Sequence, residues 1–157
     1  KENLFAGRCD VYTTDASGLS STRAAASNPD KWVVLPEIIS KEPLGPLVRH
    51  GDHQWGDVVR WSLNAMIIAE ELGVTSENVD AQLGSNVPEV LRLLGVEGSY
   101  GEMLELAPDW AYQIIKQIGN YSESYEANVG PDTPLEIARG LNALWTQGGI
   151  LYAPPFR

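Results

Sequence analysis

The chain has 157 residues, of which 43% are hydrophobic and 20% charged. That is enough for one domain with a proper core and unlike a disordered polypeptide. Eleven basic against twenty-one acidic side chains leave a net charge of −10, which argues against nucleic acid and anionic membrane surfaces as partners. No apolar run approaches the roughly 18 residues that a membrane span needs, since "AMIIAEELG" is broken by Glu70 and Glu71.

The opening "KENLFAG" carries no initiating Met and no basic-then-apolar leader. It is expected to be the tail of an element already under way, with a cut N-terminus. Residues 9 to 14 (CDVYTT) and 31 to 36 (KWVVLP) are short and rich in β-branched and aromatic residues, as strands are. The alanine-rich "ASGLSSTRAAASNPD" between them is suited to a short helix, so the three together predict a β-α-β unit. "PLGPLVRHGD" is expected to be an extended crossing strand, because Pro43 and Pro46 exclude a helix interior while Leu44, Leu47 and Val48 call for burial.

From Asp52 onward the period is helical. Trp55, Val58, Val59, Ser62, Met66 and Ala69 recur at three and four, Asp52 suits an N-cap, and Gly73 suits a stop. "TSENVDAQLG", "VPEVLRLLG", "PDWAYQIIKQIG", "YSESYEANVG" and "TPLEIARGLNALWTQGG" each end on glycine, which tolerates the left-handed conformation after a helix. The last is expected to be a helix with a capping box, Thr133 with Glu136, and Pro134 in its first turn.

Few residues point to chemistry. Cys9 is the sole cysteine, so no disulfide closes within the chain and no cysteine metal site forms; a partner for it would have to lie on another part of a longer protein. His50, Asp52 and His53 are close in sequence but match no ligand spacing, and a solvated turn with an N-cap accounts for them. "GVEGSYGE" has three glycines without the preceding strand and following Lys-Ser/Thr of a phosphate loop. The tryptophans at 55, 61, 110 and 145 fall at core-like helical spacing, which favours packing over an aromatic cage. No nucleophile elbow occurs, and only two histidines are available to a hydrolase triad.

Asp15 is different. It ends the first expected strand, after Thr13 and Thr14 and before the small residues of the helix. A carboxylate at the C-terminal end of a strand in an α/β sheet lies on the ligand edge, where it would accept from an ammonium group. It could equally be the N-cap of the helix starting at Ala16. Pattern leaves both readings open.

Four stretches, "AGRCDVYTTDAS", "VVLPEIISKEPLGPLVRHGD", "DWAYQIIKQIGNYSESYEANVG" and "GLNALWTQGGILYAPPFR", closely resemble the C-terminal part of periplasmic amino-acid-binding proteins of bacterial ABC importers, in particular the general L-amino-acid-binding subgroup. The resemblance runs essentially end to end. It implies an α/β fold, the C-terminal portion of a type II periplasmic binding protein. That portion would be helix-rich, with a short β-α-β unit from the second lobe and helices that pack on the first. Residues 1–43 would belong to the second, ligand-closing lobe, 44–50 to a hinge-crossing strand, and 51–157 to the helical region packing on the first lobe.

The same resemblance implies that the protein captures free L-amino acids between its lobes for an inner-membrane ABC permease, in the periplasm, with no cofactor and no catalysis. Asp15 then stands where the family's aspartate accepts from the ligand's α-ammonium group, and Thr14 where relatives also contact the ligand. The arginine that clamps the α-carboxylate would lie in the first lobe, upstream of this chain. Apolar faces left bare would be covered by that missing half or in a swapped dimer. Two other classes remain open on the sequence: a dehydratase of prephenate-like substrates on the same fold, which needs a general acid in the cleft, and a helical interaction domain in which Asp15 is only a cap.

Overall fold

The computed structural model describes residues 1–156. Helices dominate: α1 (Glu2–Phe5), α2 (Ala16–Ala24), α3 (His53–Glu71), α4 (Val79–Gln82), α5 (Pro88–Leu93), α6 (Trp110–Ile118) and α7 (Tyr121–Asn128), with single 3-10 turns between and after them. The chain divides into two compact units. One comprises Lys1–Gly45 with Glu126–Ala138, the other Pro46–Tyr125 with the segment from Arg139 onward.

The second unit holds the core. Asp52 caps α3 by accepting from the Trp55 N–H at 3.0 Å, as its residue type favours. The helix buries Ala65, Ile67, Ile68 and Ala69 near its C-terminal end. It stops at Gly73, whose φ of 68° is a conformation that glycine adopts without a Cβ penalty. Against α3 packs α6, whose Trp110, Ala111 and Ile115 are buried, and Val90, Leu93 and Leu94 of α5 and its end close the same cluster. Phe156 comes back to seal it, stacked on Trp61 at 5.2 Å and edge-on to Trp110 at 6.1 Å between ring centroids. Each fully buried side chain such as Leu93 or Ile115 contributes about 1.5–3 kcal/mol through the apolar surface it removes from water.

Two polar networks tie this core together. A capping box opens α7. The Asn120 side chain accepts from the Glu123 N–H at 3.0 Å, and Glu123 accepts from the Asn120 N–H at 2.8 Å. Glu123 also takes the Ser76 hydroxyl and N–H, and the Asn120 amide donates to the buried Val74 carbonyl. The box thus anchors α7 to the turn after α3. Burial works to raise the Glu123 carboxyl, but the Ser76 hydroxyl and the Asn120 and Ser76 N–H groups outweigh it and hold it below its usual range. The second network centres on Arg139. One guanidinium nitrogen donates to both Glu70 carboxylate oxygens, at 3.0 and 3.1 Å. Arg139 also bonds the Asn142 carbonyl and lies 5.3 Å from the ring centroids of both Tyr121 and Tyr125.

The expected capping box at Thr133 and Glu136 is not formed, and 133–149 is not an α-helix. Glu136 sits at φ 52°, a left-handed conformation that interrupts a right-handed helix, and its carboxylate pairs with Arg23 at 2.6 Å. The Thr133 hydroxyl instead donates to the Gly130 carbonyl at 2.8 Å. Beyond Glu136 the chain makes two 3-10 turns, Gly140–Asn142 and Trp145–Gln147, and one parallel bridge between Leu144 and Leu151. Two of the four tryptophans expected on helices also depart from core packing. Trp61 and Trp110 pack in the core, but Trp55 and Trp145 are about half exposed, at 54% and 51%.

The first unit explains why the β-α-β reading is met only in its helix. Its α2 spans Ala16–Ala24, yet residues 9–15 and 32–35 run without forming a ladder, and no strand is assigned among the described residues. Val11, Val33, Leu35, Ile38 and Ile39 are exposed, and the buried apolar side chains among the described residues all belong to the second unit. Strand-forming residues become a strand only when another backbone supplies the ladder. Residues 44–49 likewise form no ladder, and Leu44, Leu47 and Val48 are exposed rather than buried.

Candidate functional site

Asp15 sits at the entrance of α2 and uses its two carboxylate oxygens differently. Oδ1 accepts from the Ser17 hydroxyl at 2.5 Å and from the Gly18 N–H at 2.7 Å, which makes Asp15 the N-cap of the helix. Oδ2 receives the Thr14 hydroxyl, at 3.2 Å, and keeps acceptor capacity beyond that bond. The Ser17 hydroxyl first, then the Gly18 N–H, hold the Asp15 carboxyl below its usual range, against a smaller opposing desolvation, with Thr14 adding to the lowering. The group is an anion at neutral pH. It presents one oxygen fixed by the helix and one able to receive a cationic donor, with the Thr14 hydroxyl beside it.

The two readings of Asp15 are therefore compatible, because a carboxylate has an oxygen for each. Thr14 and Asp15 are brought together by a direct hydrogen bond. Sequence reasoning passes over Ser17 and Gly18 as site residues; the signal available is Asp-Ala-Ser-Gly, an acceptor followed by a hydroxyl and a glycine at the first helical turn.

The other sequence candidates have structural roles. Asp52 is a cap, and no group of three or more His, Cys, Asp or Glu side chains able to hold a metal occurs among the described residues. In "GVEGSYGE", a Cβ on Gly95 or Gly101 would fall 1.9 or 2.4 Å from the carbonyls of Pro108 and Ala107. The glycines let that loop lie against the backbone before α6. Cys9 is free and exposed, and no helix is long and apolar enough to cross a membrane among the described residues.

A solved structure of an ABC transporter/periplasmic binding protein from Brucella ovis with glutathione bound matches 99% of this chain at a TM-score of 0.94 and 52% identity. The match covers 49% of that protein, so the fold is that of about half a periplasmic binding protein. Among curated proteins, the glutamate/glutamine/aspartate/asparagine-binding protein BztA of Rhodobacter capsulatus is 56% identical over 100% of this chain and 47% of its own length. The general L-amino acid-binding periplasmic protein AapJ of Rhizobium johnstonii is 58% identical over 97% of this chain and 45% of its own length. The putative amino-acid ABC transporter-binding protein YhdW of Escherichia coli is 56% identical over 98% and 46%. The chain is a homologue of amino-acid ABC transporter-binding proteins, as its four sequence stretches suggest, and it spans about half the length of the curated relatives it matches. No protein-family model matches it.

Proposed function

We propose that the complete protein is the periplasmic substrate-binding component of an ABC importer. It captures an L-amino acid through its α-ammonium group at Asp15 and Thr14 and delivers it to a membrane permease. The observation that carries this reading is the divided Asp15 carboxylate, one oxygen occupied as a helix cap and the other left with an adjacent hydroxyl. An ionised acceptor held in place by a helix terminus matches a ligand ammonium in charge and hydrogen-bonding capacity.

The finer architecture belongs to the same reading. Residues 9–14 and 31–36 become strands when paired with strands of the remaining chain, and 1–43 then form part of a ligand-closing lobe. Residues 44–50 carry the chain across the hinge, and 51–157 pack on the first lobe. Exposed Val11, Val33, Leu35, Leu44 and Leu47 favour this, since apolar strand residues left in water are stabilised by a second surface. The clamp for the α-carboxylate lies on the other half. Nothing among the relatives supports a swapped dimer, and those relatives are named for binding rather than for a dehydratase reaction.

For the ligand, the names of the relatives converge on one head group. Glutamate, glutamine, aspartate and asparagine each carry a free α-ammonium and α-carboxylate, and glutathione carries the same pair on its γ-glutamyl residue. Calorimetry of the complete protein with L-glutamate, L-glutamine, L-aspartate, glutathione, L-leucine and L-lysine is expected to show binding to several of them. Absence of binding to every one would overturn the proposed function, and tight binding to a single one would overturn its breadth.

A further inference from the structure

Gly18 occupies the first turn of α2, and its N–H is one of the two donors to Asp15 Oδ1. A Cβ built on it would lie 2.8 Å from Asp15 Oδ2, 2.9 Å from Thr14 Cγ2 and 3.3 Å from Thr14 Oγ1. The first two separations are closer than van der Waals contact allows, so the neighbours would have to shift. The space that a side chain at 18 would take is held by the two side chains at the candidate site, and by the oxygen of Asp15 that the cap leaves available. Both are ends of rotatable side chains on a partly exposed surface, so they, and not the helix backbone, would move.

We infer that Gly18 is a positioning residue for ligand binding: its missing side chain lets the Asp15 carboxylate and the Thr14 hydroxyl lean together over the first turn of α2. The inference rests on the reading of Asp15 as the ammonium acceptor. It adds a residue that touches no ligand and acts only through the orientation of the two that do. Helix propensity gives Gly18 no structural role of its own. Its backbone is not in the left-handed region, and alanine is the better residue in a helical turn, so on propensity alone Gly18→Ala is stabilising or neutral.

The test is a double-mutant cycle on the complete protein, with Gly18→Ala, Asp15→Asn and the pair, each titrated with L-glutamate and melted without ligand. Asparagine keeps the acceptor that caps the helix and removes the charge. Gly18→Ala is expected to weaken binding by about tenfold or more, as a displaced charge-assisted contact does, without lowering the melting temperature. In the Asp15→Asn background the same change is expected to have little further effect, because the contact it disturbs is already gone. If Asp15→Asn weakens binding while Gly18→Ala binds as the parent does, the positioning role is overturned and the acceptor reading stands. An equal loss from Gly18→Ala in both backgrounds also overturns it. Should Asp15→Asn itself bind as tightly as the parent, the acceptor reading fails, and this inference with it.

Discussion

Replacing Asp15 by alanine in the complete protein is expected to weaken L-glutamate binding by about 30- to 3,000-fold, because it leaves a ligand ammonium in a closed site without its counter-charge. The alanine also removes the α2 cap, since Oδ1 takes both the Ser17 hydroxyl and the Gly18 N–H. Helix destabilisation therefore adds to the loss. Asp15→Asn separates the two effects. Asparagine is as good a cap as aspartate, but its amide presents either a neutral oxygen or a competing N–H donor to the ammonium. Most of the affinity loss should thus persist in Asp15→Asn while the melting temperature recovers. A protein that loses stability with alanine, recovers it with asparagine and binds ligand normally in the asparagine form would leave Asp15 with its capping role alone.

The largest expected effect on stability lies at Arg139. Its side chain is 16% exposed and that of Glu70 is 9% exposed, and the guanidinium is also flanked by Tyr121 and Tyr125. Arg139→Met fills much of the same space but strands the Glu70 carboxylate away from water, leaves the Asn142 carbonyl without its donor and forfeits two cation–π contacts. The expected cost is about 2–4 kcal/mol, read by urea denaturation of the complete protein through its tryptophan fluorescence. Arg139→Met with Glu70→Leu should recover part of that loss, since it leaves no carboxylate stranded, while the Asn142 carbonyl still lacks its donor. An Arg139→Met protein as stable as the parent would mean that the pair is solvated in solution and contributes as little as a surface ion pair.

Local signals make most of the helical unit legible in the sequence. Asp52 as cap, apolar residues at three and four through Ala69, and Gly73 as stop describe α3 to within two residues of its observed end. The segment 133–149 shows where such signals mislead. Thr-Pro-Leu-Glu is a capping box in letters, but Glu136 pairs with Arg23, 113 positions earlier in the chain, and no window of local sequence contains that partner. Asn120 and Glu123 form the real box, at the start of α7, where the sequence pattern draws no attention to it.

The β-rich segments fail for a different reason. A helix satisfies its own backbone, whereas a strand borrows its hydrogen bonds from a neighbour. CDVYTT and KWVVLP have strand composition and no ladder. At the site, Asp15 is visible in the sequence, but cap and ligand acceptor stand there as alternatives. The geometry makes the two readings compatible, since the cap takes Oδ1 and Oδ2 bonds only the Thr14 hydroxyl. Gly18 enters the pattern only as the last letter of Asp-Ala-Ser-Gly, which does not tell where a Cβ on it would fall.

The central claim is that Asp15 receives a ligand's α-ammonium group, and the measurement that tests it most directly compares L-glutamate with N-acetyl-L-glutamate by calorimetry on the complete protein. Acetylation removes the cationic donor and leaves the α-carboxylate and side chain in place. Binding of the free amino acid with loss of about two orders of magnitude or more for the acetylated form is the predicted result. Equal affinity for the two would contradict it.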